Sequence, residues 1–576
     1  MISWSAIASP GRRARLCWKY VALVGLLIGA SGIPHVSQCA TLGPRFEIAL
    51  SSSIQSEPVT GRVILVISRV SSPEVRLQAG TVTSPPMFGI DVHNWKPSQK
   101  VTIDSATLGY PAVSLRDIPA GDYFVQALAI AYTQYRRADG HVVWALDQWD
   151  GAQGLTQAPG NLYSLVEKIH FEPEAEKNFT LTLTQRVGPV SRSPDTALLK
   201  HVRIQSKLLS AFWGKPIYLG ADILLPSGYE AHPDLKYPIL YDPRNHYVRE
   251  PAFGFSTQKA TETDIDKRKR EALGYETGFD FYKAWTSDGF PRVIVATLIE
   301  PTPYFDFSSS MNSDNNGPYD DAVMQELIPY IENHFRTVRS SYARVLIGKS
   351  SGGRDALGLQ LHHPTFFGGA WMFYPWGFNY SNYFGLNIYQ SKNAFFVDWT
   401  ETQGFWNQTQ WSPLQRYFVR TTDGKPVYTW RDWVRAEAVI GGASGVGAEF
   451  TGSDDALNSP MGSDGYPMHL YSKVTGKIDH GVAEYWRQHD LAYYAQANWQ
   501  TIGPSLVGKL HFYIGDMDEW HRNFALYDFE EFLKTTTNPY FGGSFVYGSM
   551  RGHGWQPMSN AELVKMVAQQ IEKGAP

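Results

Sequence analysis

The residues Gly348-Lys349-Ser350-Ser351-Gly352 fit the pattern G-x-S-x-G with a serine at its centre. In this pattern a sharp strand-to-helix turn presents the serine, and its strained backbone needs small residues two positions before and after it. Ser350 meets that requirement, whereas a central Ser351 would put Lys349 where a glycine is needed. Ser350 is therefore the candidate nucleophile. The alternative is a flexible Gly/Ser loop, since so short a pattern is weak evidence by itself.

Candidate partners for this serine follow later in the chain. A serine hydroxyl becomes a good nucleophile when a base takes its proton and a third group orients that base. The chain order that goes with this turn is serine, acid, histidine. The apolar run KLHFYIG leads into Asp516 and Asp518, and the run GSFVYG leads toward His553, which lies between two glycines. The order Ser350, Asp518, His553 is the required one, and Asp516 is the alternative acid.

The segments around Ser350 alternate between strand and helix patterns. Apolar runs at Tyr237–Pro243 and Pro291–Pro301 predict buried strands, and ARVLIGKS predicts the strand before the serine. Between them, Asp320–Phe335 has apolar residues at helical spacing and two acidic residues at its start. Strands that alternate with helices predict a mostly parallel sheet covered by helices, with active sites at the carboxyl ends of the strands.

The N-terminal third has a different pattern. Short β-type runs at Arg62–Ser68, Gln99–Asp104 and Asp122–Ile130 are separated by stretches rich in Pro, Gly, Ser and Asn. This pattern predicts an immunoglobulin-like β-sandwich over residues 41–190. The polar stretch Thr184–Thr196 holds two prolines, so we place the boundary there and expect the α/β domain over residues 197–576.

The composition and the N-terminus limit where the protein acts. Residues 1–40 have a basic stretch and then a short apolar core, which predicts a signal peptide; an uncleaved anchor is the alternative. We therefore expect an exported protein, secreted or periplasmic, with no stable membrane span after cleavage. The formal net charge of -4 gives no attraction to nucleic acid. The only cysteines, Cys17 and Cys39, lie in the leader, so the mature chain forms no internal disulfide. The oligomeric state is left open.

Several longer motifs resemble one family. The segments NSDNNGPYDDAVMQELIPYIENHFRT, RVLIGKSSGGRDALGLQLHHPTFFGG, GKLHFYIGDMDEW and YGSMRGHGW are similar to the "putative esterase" group of α/β-hydrolases, the relatives of esterase D and enterochelin esterase. The resemblance covers roughly residues 206–572. It implies an α/β-hydrolase fold, Ser350 as nucleophile and His553 as base. It also implies Asp518 as the acid, three residues after the strand-end Gly515, with Asp516 in reserve.

The chain departs from this family at the expected oxyanion hole. The family resemblance implies that the backbone N–H of Ser351 is one donor. The second donor usually comes from a His-Gly pair, but this chain has YDPRNHYVREP there, which leaves His246 or Tyr247 as the candidate. A misplaced donor could lower activity by about two to three orders of magnitude.

An insertion of more than 100 residues, about 376–500, is rich in aromatic residues. They could form a cap over the active site that binds an apolar, aromatic or sugar-like group, or they could simply fill the core of an irregular segment. The acidic residues of this region match no metal-loop spacing, so the sequence predicts no metal and no cofactor.

These observations predict a secreted serine hydrolase that cleaves carboxylic esters through an acyl-enzyme. The substrate would be a small-molecule or glycan-linked ester. Two alternatives stay open: a serine peptidase of the same fold, and a non-catalytic protein that binds a glycan or a partner on a hydrolase scaffold.

Overall fold

Two β-sheets organise the part of the chain that the computed structural model describes, namely residues 43–150, 155–191, 194–243, 252–397 and 414–576. The predicted signal peptide, residues 1–40, lies outside these ranges. Within them, no helix is both long enough and apolar enough to cross a membrane.

The described part of the N-terminal region is all β, apart from short 3-10 helices at Val75–Gln78 and Leu115–Asp117. Its strands are β1 (Arg45–Leu50), β2 (Val59–Ser68), β3 (Met87–Trp95), β4 (Lys100–Ile103), β5 (Gly109–Tyr110), β6 (Gly121–Ala131), β7 (Thr133–Arg136), β8 (Val142–Ala145), β9 (Leu162–Ser164), β10 (Glu167–Phe171) and β11 (Asn178–Arg186). Nine of them form one sheet in the order β4-β1-β11-β9-β6-β2-β3-β5, with β10 also paired to β6. Strands β7 and β8 form a separate hairpin.

These strands therefore form one continuous sheet and not the two hydrogen-bonded sheets of the expected sandwich. The long strand β6 lies inside this sheet and pairs with β2 along one edge and with both β9 and β10 along the other. Side chains alternate along β2: Val63 and Leu65 enter a core within this region, whereas Ile64 and Val66 enter the core shared with the rest of the protein. Because of this shared core, the division into two separate domains stays a prediction.

The second region has the α/β architecture that the sequence predicted. Its main strands are β12 (Leu199–Ser206), β13 (Ile217–Leu224), β14 (Ile239–Pro243), β15 (Ile294–Ile299), β18 (Arg344–Lys349), β19 (Gly369–Phe373), β24 (Leu510–Gly515) and β25 (Ser544–Gly548). They form one sheet in the order β12-β13-β15-β14-β18-β19-β24-β25. The pairs β12·β13 and β13·β15 are antiparallel, and all later pairs are parallel. The short strands β16 (Asn312–Ser313) and β17 (Gly317–Pro318) form a separate pair.

Helices accompany this sheet. They are α1 (Lys207–Trp213), α2 (Asp264–Leu273), α3 (Gly278–Thr286), α4 (Tyr319–Ala322), α5 (Ile328–His334), α6 (Ser351–His362), α11 (Arg522–Thr535) and α12 (Asn560–Gly574). A π-helical turn, Val323–Leu327, joins α4 to α5, so the helix predicted at 320–335 is confirmed. The α/β-hydrolase part of the predicted fold is confirmed as well.

The aromatic-rich insertion lies between β19 and β24. Its elements are β20 (Phe396–Val397), β21 (Leu414–Gln415), β22 (Tyr417–Arg420), β23 (Pro426–Thr429), α7 (Trp430–Gly441), α8 (Asp455–Asn458), α9 (His480–Trp486) and α10 (Leu491–Ile502). Residues 398–413 of the insertion lie outside the described residues. In the rest of it, many aromatic side chains pack on one another in a separate core that includes Tyr383, Phe384, Phe418 and Trp430. The core-filling interpretation therefore describes these residues.

Candidate active site

Ser350 occupies the sharp turn between β18 and α6. Its backbone has φ 56° and ψ -122°, a strained conformation for a residue other than glycine. The turn brings the backbone of Gly352 against Gly348, where an added Cβ would lie only 1.9 Å from the Gly352 carbonyl oxygen. This close approach is the physical reason for the small residues on both sides of the serine.

The structure brings the three predicted triad residues together. Asp518 follows β24, and His553 lies on the loop after β25, so both side chains come from strand ends next to the turn. The His553 Nε2 atom lies 3.3 Å from the Ser350 Oγ atom. The other ring nitrogen, Nδ1, lies 2.8 Å from Asp518 Oδ2. This arrangement suits a neutral imidazole that accepts the serine proton at Nε2 and donates its N–H to the carboxylate.

The surroundings of Asp518 keep it ionised although its side chain is fully buried. Burial alone would raise its pKa, but the imidazole of His553 and the guanidinium of Arg522 oppose this, and the net effect lowers the pKa of Asp518. The backbone N–H of Trp520 also donates to its Oδ1 atom at 2.8 Å. A carboxylate held in this way can orient the imidazole and stabilise the imidazolium that forms during reaction.

His553 is poised to act as a base at neutral pH. Its pKa is lowered, first by burial, with Asp518 opposing the shift and Arg522 adding to it. The ring of Tyr374 packs edge-on against the imidazole at 4.6 Å between centroids, and the Glu519 carboxylate accepts the backbone N–H of His553. The loop is therefore held at both its side chain and its backbone.

The alternative acid, Asp516, is engaged elsewhere. Its Oδ1 atom accepts the backbone N–H of Met550 at 2.7 Å, while Asp518 takes the histidine. For the oxyanion hole, Ser351 is the first residue of α6, where backbone N–H groups have no acceptor within the helix. The other two predicted residues, His246 and Tyr247, lie outside the described residues.

An arginine that the sequence analysis did not select also reaches the nucleophile. The Nη1 atom of Arg522, at the start of α11, donates to Ser350 Oγ at 3.1 Å. Arg522 is only 3 % exposed, and its guanidinium carbon lies 3.7 Å from the centroid of the Trp376 ring. Its position four residues after Asp518 carries no motif, so the sequence offers no signal for it.

The side chains of Ser350, His553 and Arg522 line a cavity of about 530 Å³. Next to Ser350 and His553, its walls are formed by Trp376, Trp433 and Trp520. Two of these residues, Trp376 and Trp433, belong to the insertion, whereas Trp520 follows β24. The volume lies within the range of small-molecule sites.

Part of the cavity wall comes from the N-terminal all-β region, which was not predicted from the sequence. It is formed by Ala79, Gly80, Thr81 and Val82, and by Leu155 and Thr156.

Strands β2 and β3 also contact α7, which carries Trp433. Arg62 on β2 donates through Nε to the Val439 carbonyl oxygen at 2.6 Å and pairs with Asp91 on β3 at 2.6 Å.

The sheet order, the strained serine turn and the strand-end acid and histidine define the architecture of an α/β-hydrolase. Residues 305–437 match the family described as "Putative esterase", which confirms the resemblance indicated by the sequence. No curated protein matches the chain.

Similar solved structures are distant. A ferulic acid esterase is 13% identical with a TM-score of 0.33, and the alignment covers 65% of this chain and 99% of that one. An S-formylglutathione hydrolase from Agrobacterium tumefaciens is 13% identical with a TM-score of 0.34, covering 66% and 96%. The fluorophosphonate-binding serine hydrolase F of Staphylococcus aureus is 12% identical with a TM-score of 0.32, covering 65% and 99%. At these scores the likenesses carry no argument about activity.

Proposed function

We propose that the protein is a secreted serine hydrolase that cleaves carboxylic esters. The observation that carries this proposal is the chain of contacts from Ser350 Oγ to His553 Nε2 and from His553 Nδ1 to Asp518. The strained turn at Ser350 and the family match at residues 305–437 support it. Export rests on the leader pattern of residues 1–40.

The first half-reaction forms an acyl-enzyme. Ser350 Oγ attacks the ester carbonyl carbon while His553 Nε2 takes the hydroxyl proton, and the carbonyl π electrons move onto the oxygen. The N–H of Ser351 is the proposed donor to that oxyanion. When the intermediate collapses, the bond to the alcohol oxygen breaks, and the imidazolium returns its proton to the leaving alcohol.

The second half-reaction restores the enzyme. Water attacks the acyl carbon while His553 takes one of its protons, and a second tetrahedral intermediate forms. Its collapse breaks the bond to Ser350 Oγ, which regains a proton from His553, and the carboxylic acid leaves. Asp518 stays ionised throughout and holds the imidazole in its productive tautomer.

A fluorophosphonate probe tests this proposal directly, because it reacts with activated serines. We expect labelling at Ser350, located by mass spectrometry, and no labelling in Ser350→Ala or His553→Ala. With para-nitrophenyl acetate, Ser350→Ala should lower kcat by about 10⁴-fold or more. A well-folded protein that neither takes up the probe nor hydrolyses esters would overturn the assignment. Cleavage of a matched anilide as fast as the ester would instead favour a peptidase.

A further inference from the structure

The buried guanidinium of Arg522 is the least expected group beside the nucleophile. Its Nη1 atom contacts Ser350 Oγ, whereas its Nε and Nη2 atoms are buried and have no hydrogen-bond partner among the described residues. An arginine with unmet donors in a buried site costs stability. Such a group is expected where its charge has a use.

The charge of Arg522 persists at neutral pH. Burial lowers the pKa of Arg522 to about 10, and the nearby carboxylate of Asp518 opposes this shift. The guanidinium is therefore protonated when His553 is neutral. The guanidinium also packs against the Trp376 ring, and its Nη1 atom contacts Ser350 Oγ in the absence of a substrate.

We propose that Arg522 is a further catalytic residue, one that stabilises the negative charge of the tetrahedral intermediates at Ser350. This inference rests on the esterase function proposed above. The negative charge develops on the former carbonyl oxygen of the ester. This oxygen is bonded to the carbon that Ser350 Oγ attacks, so it lies next to the atom that Nη1 already contacts. A preorganised donor in a buried site acts most strongly on charge that exists only in the transition state. Arg522 donates hydrogen bonds and gives up no proton.

Arg522 is the only lysine or arginine among the described residues that line the cavity. A neutral ester becomes negatively charged only in the tetrahedral intermediates, next to the nucleophile that Arg522 contacts.

Three arginine variants test this role. Arg522→Gln should lower kcat for para-nitrophenyl acetate by about 10²-fold or more, with KM unchanged. Arg522→Lys keeps the charge and should recover part of the loss. Arg420→Gln is the matched control, because Arg420 donates to the Asp518 backbone carbonyl at 3.1 Å and to Asn523, but has no contact with Ser350. Its loss in kcat should be much smaller.

The pH profile separates a catalytic from a purely structural role. The charged groups that face His553 are Asp518, Arg522 and Glu519. Removal of the cation in Arg522→Gln should raise the pKa of His553 and move the acidic limb of kcat/KM to higher pH, whereas Arg522→Lys should leave it near the wild-type position.

Folding and the proposed function have separate controls. Circular dichroism and thermal unfolding would show whether each variant is folded. If Arg522→Gln is not folded, the kinetics of Arg522→Lys are measured in its place. Unchanged kcat and an unchanged acidic limb in folded Arg522→Gln would overturn this inference while wild-type labelling at Ser350 still supported the esterase. Absence of labelling in the wild type would instead remove the proposed function itself.

A second inference follows from the cavity walls. We infer that the N-terminal all-β region is part of the substrate site and accommodates the larger apolar group of the ester. Thr81, Val82 and Leu155 line the same cavity as Ser350, and Trp376, Trp433 and Trp520 add apolar surface to it. This inference also rests on the proposed esterase function.

A size series of esters tests the second inference. Thr81→Trp should lower kcat/KM for para-nitrophenyl esters of long-chain acids or for naphthyl esters by about 10-fold or more, while that for the acetate stays near wild type. Val113→Trp, at an exposed position of the same region away from the cavity, is the control. If Thr81→Trp does not fold, Leu155→Ala should shift the preference toward bulkier esters. Equal effects on all esters, or none, would overturn this inference, and labelling of Ser350 in the variant would keep the esterase proposal separate.

Discussion

Single residues set the working pH of the proposed reaction, and His553 is the most direct case. The imidazole must be neutral to accept the serine proton, and burial together with Arg522 lowers the pKa of His553 while Asp518 opposes them. Activity is lost as pH falls through this lowered pKa. Burial and the charges around His553 therefore determine the lowest pH at which the enzyme is active.

We predict that the acidic limb of kcat/KM for the wild type lies below the ordinary histidine value of about 6.5. Initial rates on a neutral ester across the acidic range would measure it. Asp518→Asn is the informative comparison, because it removes the carboxylate that raises the pKa of His553 and should lower kcat by about 10⁴-fold. A wild-type limb above that ordinary value would contradict the charge balance described here.

The elements determine whether the nucleophile is presented at all. The β18–α6 turn depends on Gly348, since a Cβ there would overlap the Gly352 carbonyl oxygen at 1.9 Å. Gly358 lies further along α6. The nearest atom to a Cβ added there would be a Leu491 methyl carbon at 3.7 Å, an ordinary van der Waals distance. Two glycines of one segment thus tolerate a methyl group very differently.

We predict that Gly348→Ala destabilises the fold by about 1–3 kcal/mol and abolishes labelling of Ser350. By contrast, Gly358→Ala should be neutral or stabilise the protein by about 0.5–1 kcal/mol, because alanine is the better helix former. Denaturant unfolding and probe labelling of both variants would measure this. Equal behaviour of the two would contradict the close-approach explanation.

The sequence predicted the features that depend on local patterns and missed those that depend on long-range packing. The serine turn, the strand ends with Asp518 and His553, and the 320–335 helix depend on local patterns and on the regular topology of parallel strands. Arg522 and Thr81 reach the cavity because segments far apart in the sequence pack together. Residue spacing does not predict such packing. The single N-terminal sheet was not foreseen because the partners of β6 on both edges are set by long-range pairing.

On the scale of the whole molecule, α7 of the insertion packs against strands β2, β3 and β5 of the N-terminal sheet. Arg62, 2 % exposed, donates to the carbonyl oxygens of Val439 and Ala438 and pairs with Asp91. The helix held in this way carries Trp433 into the cavity. The N-terminal region therefore influences the site through a helix as well as through its own loops.

We predict that Arg62→Met lowers the free energy of unfolding by about 1.5–3 kcal/mol, because it removes charge-assisted hydrogen bonds that nothing replaces. It should also lower kcat/KM for bulky esters through displacement of α7. Arg186→Met is the matched control, since Arg186 is exposed on β11 and bonds only within the N-terminal region. Its effect on stability should stay within about 0.5 kcal/mol. Denaturant midpoints and ester kinetics would measure both, and similar losses in the two variants would contradict the role of Arg62.

The contact between Arg62 and Val439 joins residues 377 positions apart. During synthesis the N-terminal sheet leaves the ribosome long before α7 exists, and Ser350 emerges before His553. A nascent chain therefore has neither a finished cavity nor a base for its serine until nearly all of it has been made. The order of synthesis would therefore keep the proposed site inactive until the segment that carries His553 has been made.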